Sequence, residues 1–82
     1  MDSRIVIESR LREIIAKILK VPSEKIVEEA SFRDDLAADS LDLVLLIYEI
    51  EDQLGISLSD DDAKKIRTVG DAFRLASQMT AK

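Results

Sequence analysis

The sequence predicts an all-α protein: a four-helix bundle with three long helices, one short helix and a long loop between helices one and two. Three observations support this prediction. The 82 residues include only two glycines and one proline, apolar residues recur at helical spacing, and two Ser/Thr-x-x-Asp segments have the form of helix starts. The length suits one domain, spanning residues 1–82.

The first helix is predicted to begin after Asp2 or Ser3 as its N-cap and to end before Pro22, because the residue before a proline avoids helical angles. Its apolar positions follow helical spacing: Ile7, Leu11, Ile14, Ile15 and Ile18. Residues 20–39 form the long connection. Its apolar members predict that it packs onto the core: Val21, Ile26, Val27, Phe32 and Leu36.

The second helix is predicted over residues 40–54, with Gly55 as the left-handed residue after its end. At 100° per residue it carries two apolar stripes on opposite sides. One stripe is predicted to face the core: Leu43, Leu46, Ile47, Ile50 and Leu54. The other is predicted to dock partners: Leu41, Val44, Leu45 and Tyr48. A helix buried on all sides is the competing interpretation, but a chain this small cannot easily surround one.

Two further helices follow, each opened by a capping pair. Ser59 with Asp62 predicts a short helix near residues 60–66, and Thr68 with Asp71 predicts the start of the fourth helix. The fourth helix has its own apolar stripe: Val69, Ala72, Phe73, Ala76 and Met79.

Composition excludes several functions. The chain has no cysteine and no histidine, so it lacks a thiol and the commonest general base and metal ligand. No apolar run approaches the roughly 20 residues that span a bilayer. The N-terminus lacks the layout of a signal peptide, and the sequence therefore predicts a cytoplasmic monomer without membrane insertion.

Negative charge is concentrated in one segment. The formal net charge is −5, but residues 34–62 hold ten acidic residues and no basic ones. The rest of the chain carries 7 acidic and 12 basic residues. Such a block repels nucleic acid and steers basic protein surfaces towards it. A solvated acidic face would explain the total charge, but not its concentration around one serine.

That serine is Ser40. Asp39 is predicted to cap the second helix, which puts Ser40 at the first helical position, where the helix dipole favours a negatively charged ester. An ordinary capping pair is the simpler interpretation. Without histidine there is no Ser/His/Asp arrangement, so Ser40 is better suited to be modified than to act as a nucleophile.

Metal binding is not predicted. The Asp60-Asp61-Asp62 run lacks the spacing, glycine and glutamate of a calcium loop and suits the start of a helix instead. A weak divalent-cation site among Asp34, Asp35 and Asp39 stays open.

The segment from Ala30 to Asp42, which includes Asp39-Ser40-Leu41, resembles acyl carrier proteins of the dissociated type. The likeness continues through residues 51–56, 60–66 and 68–69, and so covers most of the chain. It implies an acyl-carrier-like bundle and no enzymatic activity. It also implies 4′-phosphopantetheine, donated by coenzyme A, on Ser40, with Asp39 beside it, attached by a phosphopantetheinyl transferase.

The resemblance also implies roles for other residues. Partner enzymes of acyl transfer and fatty-acid synthesis, with basic docking surfaces, would contact Asp39, Leu41, Asp42, Val44, Tyr48, Glu51 and Asp52. Acyl chains would be sheltered by Phe32, Leu46, Ile50, Ala63 and Ile66. Three residues depart from the family pattern: Ala37 replaces a usual glycine, Leu45 a usual acid and Tyr48 a usual methionine.

Two alternatives accompany the fatty-acid interpretation. The departures on the outer stripe suit a carrier of a specialised lipid, polyketide or aminoacyl pathway. An unmodified helical adaptor that binds partners through the outer stripe belongs to a different functional class.

Overall fold

The computed structural model describes residues 3–80 and confirms the four-helix architecture. The helices are α1 (Ser3–Leu19), α2 (Ser40–Leu54), α3 (Asp60–Lys64) and α4 (Val69–Thr80). A 3-10 turn, Ser23–Lys25, lies in the long loop. The short helix ends two residues earlier than predicted. Ser3 lies within α1 and so is not its N-cap, and the other predicted N-cap, Asp2, lies outside the described residues.

The core lies where α1 packs against both α2 and α4. α1, α2 and α4 turn their predicted apolar stripes to the core, except for Ile47 and Met79, which are half-buried and lie outside it, and α3 has no buried residue. The long loop adds five buried side chains: Ile26, Ala30, Phe32, Leu36 and Ala38. Val27 was predicted to pack with them but is exposed. It precedes the turn in which the Ala30 N–H donates to the Val27 carbonyl, and its side chain faces away from the core.

The long loop is held by backbone pairing with the α3–α4 connection. The Phe32 N–H donates to the Arg67 carbonyl and the Val69 N–H to the Ala30 carbonyl, both at 3.0 Å. The Gly70 N–H donates to the Glu28 carbonyl at 3.0 Å, and a Cβ at Gly70 would stand 3.1 Å from that oxygen. These bonds satisfy N–H groups at the start of α4 that have no partner within the helix.

Arg12, on α1, binds the same long loop. Its Nε donates to the Ile26 carbonyl at 3.3 Å, and its guanidinium lies 5.5 Å from the centre of the Phe73 ring on α4. A cation over an aromatic face is attracted by the ring quadrupole. One exposed side chain thus links α1, the loop and α4.

The predicted capping signals are confirmed. Gly55 is left-handed, with φ of 64°, after α2, and Ser59 forms a reciprocal capping box with Asp62. At α4 the Asp71 N–H donates to the Thr68 hydroxyl at 3.2 Å, and the Thr68 N–H donates to an Asp71 carboxylate oxygen at 3.1 Å.

Asp71 gives the fold a titratable contribution to stability. Burial acts to raise its pKa, but backbone hydrogen bonds from Thr68 and Arg67, with side-chain bonds from Thr68 and Arg74, outweigh burial and lower the pKa. A lowered folded-state pKa contributes stability that is complete above the unfolded-state pKa and is lost as the pH falls through the folded-state pKa.

Asp71→Asn should therefore lower the free energy of unfolding by about 1 kcal/mol or less at neutral pH. The difference in free energy of unfolding between Asp71→Asn and the wild type should shrink in acid, because protonation of Asp71 removes its stabilising contribution. Urea denaturation between neutral pH and pH 3 measures it. Asp61→Asn, which removes one exposed carboxylate, is the control for the loss of one negative charge. A constant difference between wild type and Asp71→Asn across this range would contradict the expectation.

Candidate functional site

Ser40 is exposed at the first position of α2. Asp39 is the N-cap, in extended conformation, and its carboxylate accepts the Asp42 N–H at 2.8 Å. The predicted geometry of this helix start is confirmed. The Ser40 hydroxyl thus lies at the positive end of the helix dipole and open to solvent.

Asp42 has a structural task that the sequence analysis did not assign to it. Its carboxylate accepts the Asp39 N–H at 3.2 Å and completes a capping box. The Asp39-x-x-Asp42 spacing was the available signal. Both carboxylates next to Ser40 therefore hold the backbone that positions it.

The loop before Ser40 is ordered by short-range hydrogen bonds around Ser31. The Ser31 N–H donates to the Asp35 carboxylate at 2.7 Å, and the Ser31 hydroxyl accepts the Asp34 N–H at 3.2 Å. The Ala38 N–H donates to the Phe32 carbonyl at 2.7 Å. These hydrogen bonds fix the backbone of residues 31–38, which leads to Ser40.

Ala37 turns the chain within this loop in the left-handed conformation, with φ of 56°. An alanine there is strained by its Cβ, whereas glycine is not. Ala37→Gly should raise the free energy of unfolding by about 1 kcal/mol, measured by urea denaturation. The neighbouring Ala38 is buried, and Ala38→Gly should destabilise the fold. Equal effects of the two substitutions would refute this explanation.

A cavity of about 700 Å³ opens beside Ser40, between α2 and α3. Its apolar wall comprises Phe32, Leu43, Val44, Ile47, Ala63 and Ile66, and its polar members are Ser31, Arg33, Asp34, Ser40, Lys64 and Arg67. The volume is typical of small-molecule sites. A group on the Ser40 oxygen could enter it directly.

The predicted acyl pocket is divided by the structure. Phe32, Ala63 and Ile66 line this cavity, whereas Leu46 and Ile50 do not. Leu46 is fully buried in the core, and Ile50 lines a separate small void. For Leu46 and Ile50, contact with an acyl chain stays a prediction. Helix geometry explains the lining of the cavity, which lies beside the α2 face that bears Ser40, Leu43, Val44 and Ile47, at positions i, i+3, i+4 and i+7.

The outer stripe of α2 is exposed. Leu41, Val44, Leu45 and Tyr48 keep 43% to 66% of their surface in water. A contiguous apolar stripe of this kind on the surface of a small domain is typical of a docking surface. The interpretation of α2 as buried on all sides is therefore wrong.

The acidic residues near the end of α2 differ in role. Asp52 is exposed, but Glu51 is half-buried and its carboxylate accepts the Leu58 N–H at 2.8 Å. The Gly55 and Ile56 N–H groups donate to the Glu51 carbonyl. Glu51 therefore anchors the turn after α2, a contact between residues seven positions apart that spacing alone did not reveal.

Two absences bear on the site, both within the described residues. No three acidic side chains of residues 3–80 come close enough together to hold a metal ion. None of the helices over that range is long and apolar enough to cross a membrane.

Residues 9–75 match the protein family described as the phosphopantetheine attachment site. The chain belongs to the acyl carrier protein family. It is a carrier, not an enzyme, and its cofactor is a covalently bound 4′-phosphopantetheine. Family membership disfavours the unmodified adaptor.

Solved structures show the same relationship. A Mycobacterium tuberculosis structure described as an acyl carrier protein is 36% identical, with a TM-score of 0.83 over 88% of this chain and 96% of that one. The acyl carrier protein of Enterococcus faecalis is 30% identical, with a TM-score of 0.80 over 93% of this chain and 96% of the other.

The carrier's own residues fit this cofactor. Ser40 offers an exposed hydroxyl at a helix start, which suits a phosphate ester. The adjoining cavity has an apolar wall and is large enough for an acyl chain. The absence of cysteine means that the carrier's thiol must come from the cofactor.

Proposed function

We propose that Ser40 carries the 4′-phosphopantetheine arm and that the carrier presents acyl groups to enzymes of fatty acid biosynthesis. When bound, the arm supplies a terminal thiol that holds acyl groups as thioesters. The observation that supports the assignment most directly is the Ser40 hydroxyl, exposed at the start of α2 and lining the 700 Å³ cavity. Over a third of the residues are charged, which suits a cytoplasmic monomer.

The residues around Ser40 orient it and leave the chemistry of attachment to the transferase. Asp39 and Asp42 each accept a backbone N–H through one carboxylate oxygen. Among the described residues neither carboxylate accepts a hydrogen bond from the Ser40 hydroxyl, so neither is positioned to take the hydroxyl proton. Ser40 must lose that proton when its oxygen becomes bonded to phosphorus, and we propose that the phosphopantetheinyl transferase supplies the base. Coenzyme A supplies the arm: its pyrophosphate linkage breaks as the Ser40 oxygen bonds to the phosphorus of the 4′-phosphopantetheine half, and adenosine 3′,5′-bisphosphate leaves.

The exposed stripe of α2 is the proposed recognition surface for partners. Leu41, Leu45 and Tyr48 supply apolar contacts, and Asp52 is an exposed acid beside them. Enzymes with a basic rim around an apolar depression would complement this surface. Leu45 and Tyr48 make it more apolar than the family pattern, and this observation favours a specialised lipid, polyketide or aminoacyl pathway as the second candidate.

The direct test is intact mass. After incubation with coenzyme A and a phosphopantetheinyl transferase, the protein should gain the mass of one arm, and the modified peptide should contain Ser40. Failure with several transferases would overturn the assignment. Mass spectrometry of thioesters on the carrier purified from cells then separates the pathways: saturated acyl chains indicate fatty-acid synthesis, whereas polyketide or aminoacyl groups indicate the second candidate.

Charge on the recognition surface should control association rates. Asp52→Lys should slow modification by the transferase about threefold to tenfold at low salt, and the difference should narrow at high salt because screening weakens steering. Stopped-flow or initial-rate assays measure this change. Glu51 is unsuitable for the test, since its carboxylate anchors Leu58.

Glu24→Lys is the matched control, because Glu24 is exposed in the 3-10 turn, outside the acidic segment. It changes net charge by the same amount and should leave the rate nearly unchanged. Equal slowing by both variants would show that total charge, not the surface of α2, governs association.

A further inference from the structure

Three basic side chains line the cavity beside Ser40. They are Arg33 from the long loop, Lys64 from α3 and Arg67 from the α3–α4 connection. One carboxylate, Asp34, lines it as well. The cavity therefore has a net positive lining, although the adjoining segment of residues 34–62 contains no basic residue.

These cations are not neutralised by neighbouring carboxylates. Arg33, Lys64 and Arg67 are all exposed, and among the side chains that the structure describes none forms an ion pair with them; Arg74 with Asp71 is the pair it shows. Three exposed cations that line one cavity without ion-pair partners make its lining more positive than the acidic segment beside it. Such a place favours an anionic ligand.

The nearest anion that the proposed function provides is the phosphodiester of the arm. Ser40 lines the same cavity as the three cations, so a phosphate on its oxygen would lie at the cavity mouth. The remaining wall is apolar, with Leu43, Val44 and Ile47 along α2. A phosphate beside the basic side chains and an acyl chain against the apolar wall match this lining.

We infer that Arg33, Lys64 and Arg67 bind the phosphodiester on Ser40 and hold the arm against the α2–α3 cavity. This inference rests on the proposed attachment at Ser40. The arm is then docked on the carrier by ionic contacts with these three side chains. Because the cations are exposed, salt weakens the docking.

The test compares two triple variants with the same loss of charge. The site variant carries Arg33→Gln, Lys64→Gln and Arg67→Gln. The control carries Lys20→Gln, Lys25→Gln and Lys65→Gln; all three are exposed and none lines this cavity. Each protein is prepared without the arm and with it, and melting temperatures are measured at low salt and at about 1 M salt, where the Debye length is about 3 Å.

We expect the arm to raise the melting temperature of the wild type and the control by about 2–5 °C at low salt. The rise should vanish in the site variant and shrink at high salt in the other proteins. Arm-dependent amide chemical shifts of residues 31–34 and 63–67 should likewise be lost in the site variant. If the site variant keeps the rise and the shifts, the inference is overturned. If the site variant fails to fold, the single substitutions Lys64→Gln (site) and Lys65→Gln (control) are compared by the same two measurements.

The acyl cargo is the other source of negative charge. The comparison is therefore repeated with an acetyl group and with a succinyl group on the arm. If the cations matter only when the cargo bears a carboxylate, they recognise cargo and the phosphodiester inference is wrong. Intact mass confirms attachment in each sample. Failure to attach the arm therefore counts against the proposed function. If the arm is attached but its effects do not depend on the three basic residues, only this inference is contradicted.

Discussion

Ser40→Ala is expected to abolish attachment of the arm while leaving the fold intact. The substitution removes the oxygen that would form the phosphodiester. The capping box uses Asp39 and Asp42 and not the Ser40 hydroxyl, so the start of α2 should persist. Intact mass after incubation with coenzyme A and a transferase should show no gain, and the melting temperature should stay within about 3 °C of the wild type.

Ser57→Ala is the matched control, because Ser57 is also exposed but lies in the connection after α2. It should accept the arm at the wild-type rate. Attachment to Ser40→Ala would mean that another residue carries the arm. A large fall in its melting temperature would instead mean that the hydroxyl has a structural role that the hydrogen bonds do not show.

Leu46→Ala should be the most destabilising substitution on α2, and Leu45→Ala, one position earlier, should cost little. Leu46 has no exposed surface, whereas Leu45 keeps 48% of its surface in water. Truncating a buried leucine costs about 2–5 kcal/mol through lost burial and the cavity left behind. The total free energy of unfolding of a domain of this size is roughly 4–12 kcal/mol, so Leu46→Ala should remove a large share of the stability.

Urea denaturation of the two variants measures this difference, and Leu45→Ala should stay within about 1 kcal/mol of the wild type. The functional effects should be reversed. Leu45→Ala should weaken association with partner enzymes because it removes apolar area from the proposed recognition surface. Similar losses of stability in both variants would contradict the two-sided description of α2.

Leu45 and Leu46 also show what the sequence left to the structure in the two apolar stripes of α2. Helical spacing separates Leu45 and Leu46 by 100° and predicts two apolar sides. Which side meets α1 and which meets water depends on where the other helices lie. The size argument favoured exposure of the Leu45 side, and packing of α1 against α2 left that side uncovered.

The cavity illustrates a limit of sequence reasoning. Leu43 packs against the core as predicted, but it also lines the cavity beside Ser40 together with Ile47, which was predicted to face the core. Leu46 and Ile50, which the family resemblance placed at the acyl pocket, lie elsewhere in the core. The position of α3 relative to α2 decides which residues border the gap between them, and no local pattern encodes it.

The sequence by itself determined most of the helix starts and the end of α2. Asp39 as the N-cap of α2, Ser59 with Asp62, Thr68 with Asp71 and the left-handed Gly55 are contacts or conformations within four residues, so spacing and residue type suffice to predict them. The sequence also singled out Ser40 through the Asp39-Ser40-Leu41 segment.

Only the tertiary structure decided how distant segments meet. Glu51 bonds to Leu58, Phe32 pairs with Arg67, and Arg33, Lys64 and Arg67 gather at one cavity. These partners come from different elements, and their meeting depends on burial of apolar surface across the whole bundle, which is non-directional. The serine and its helix cap are therefore set by residues close in sequence, whereas the cavity around the serine is set by how the helices pack.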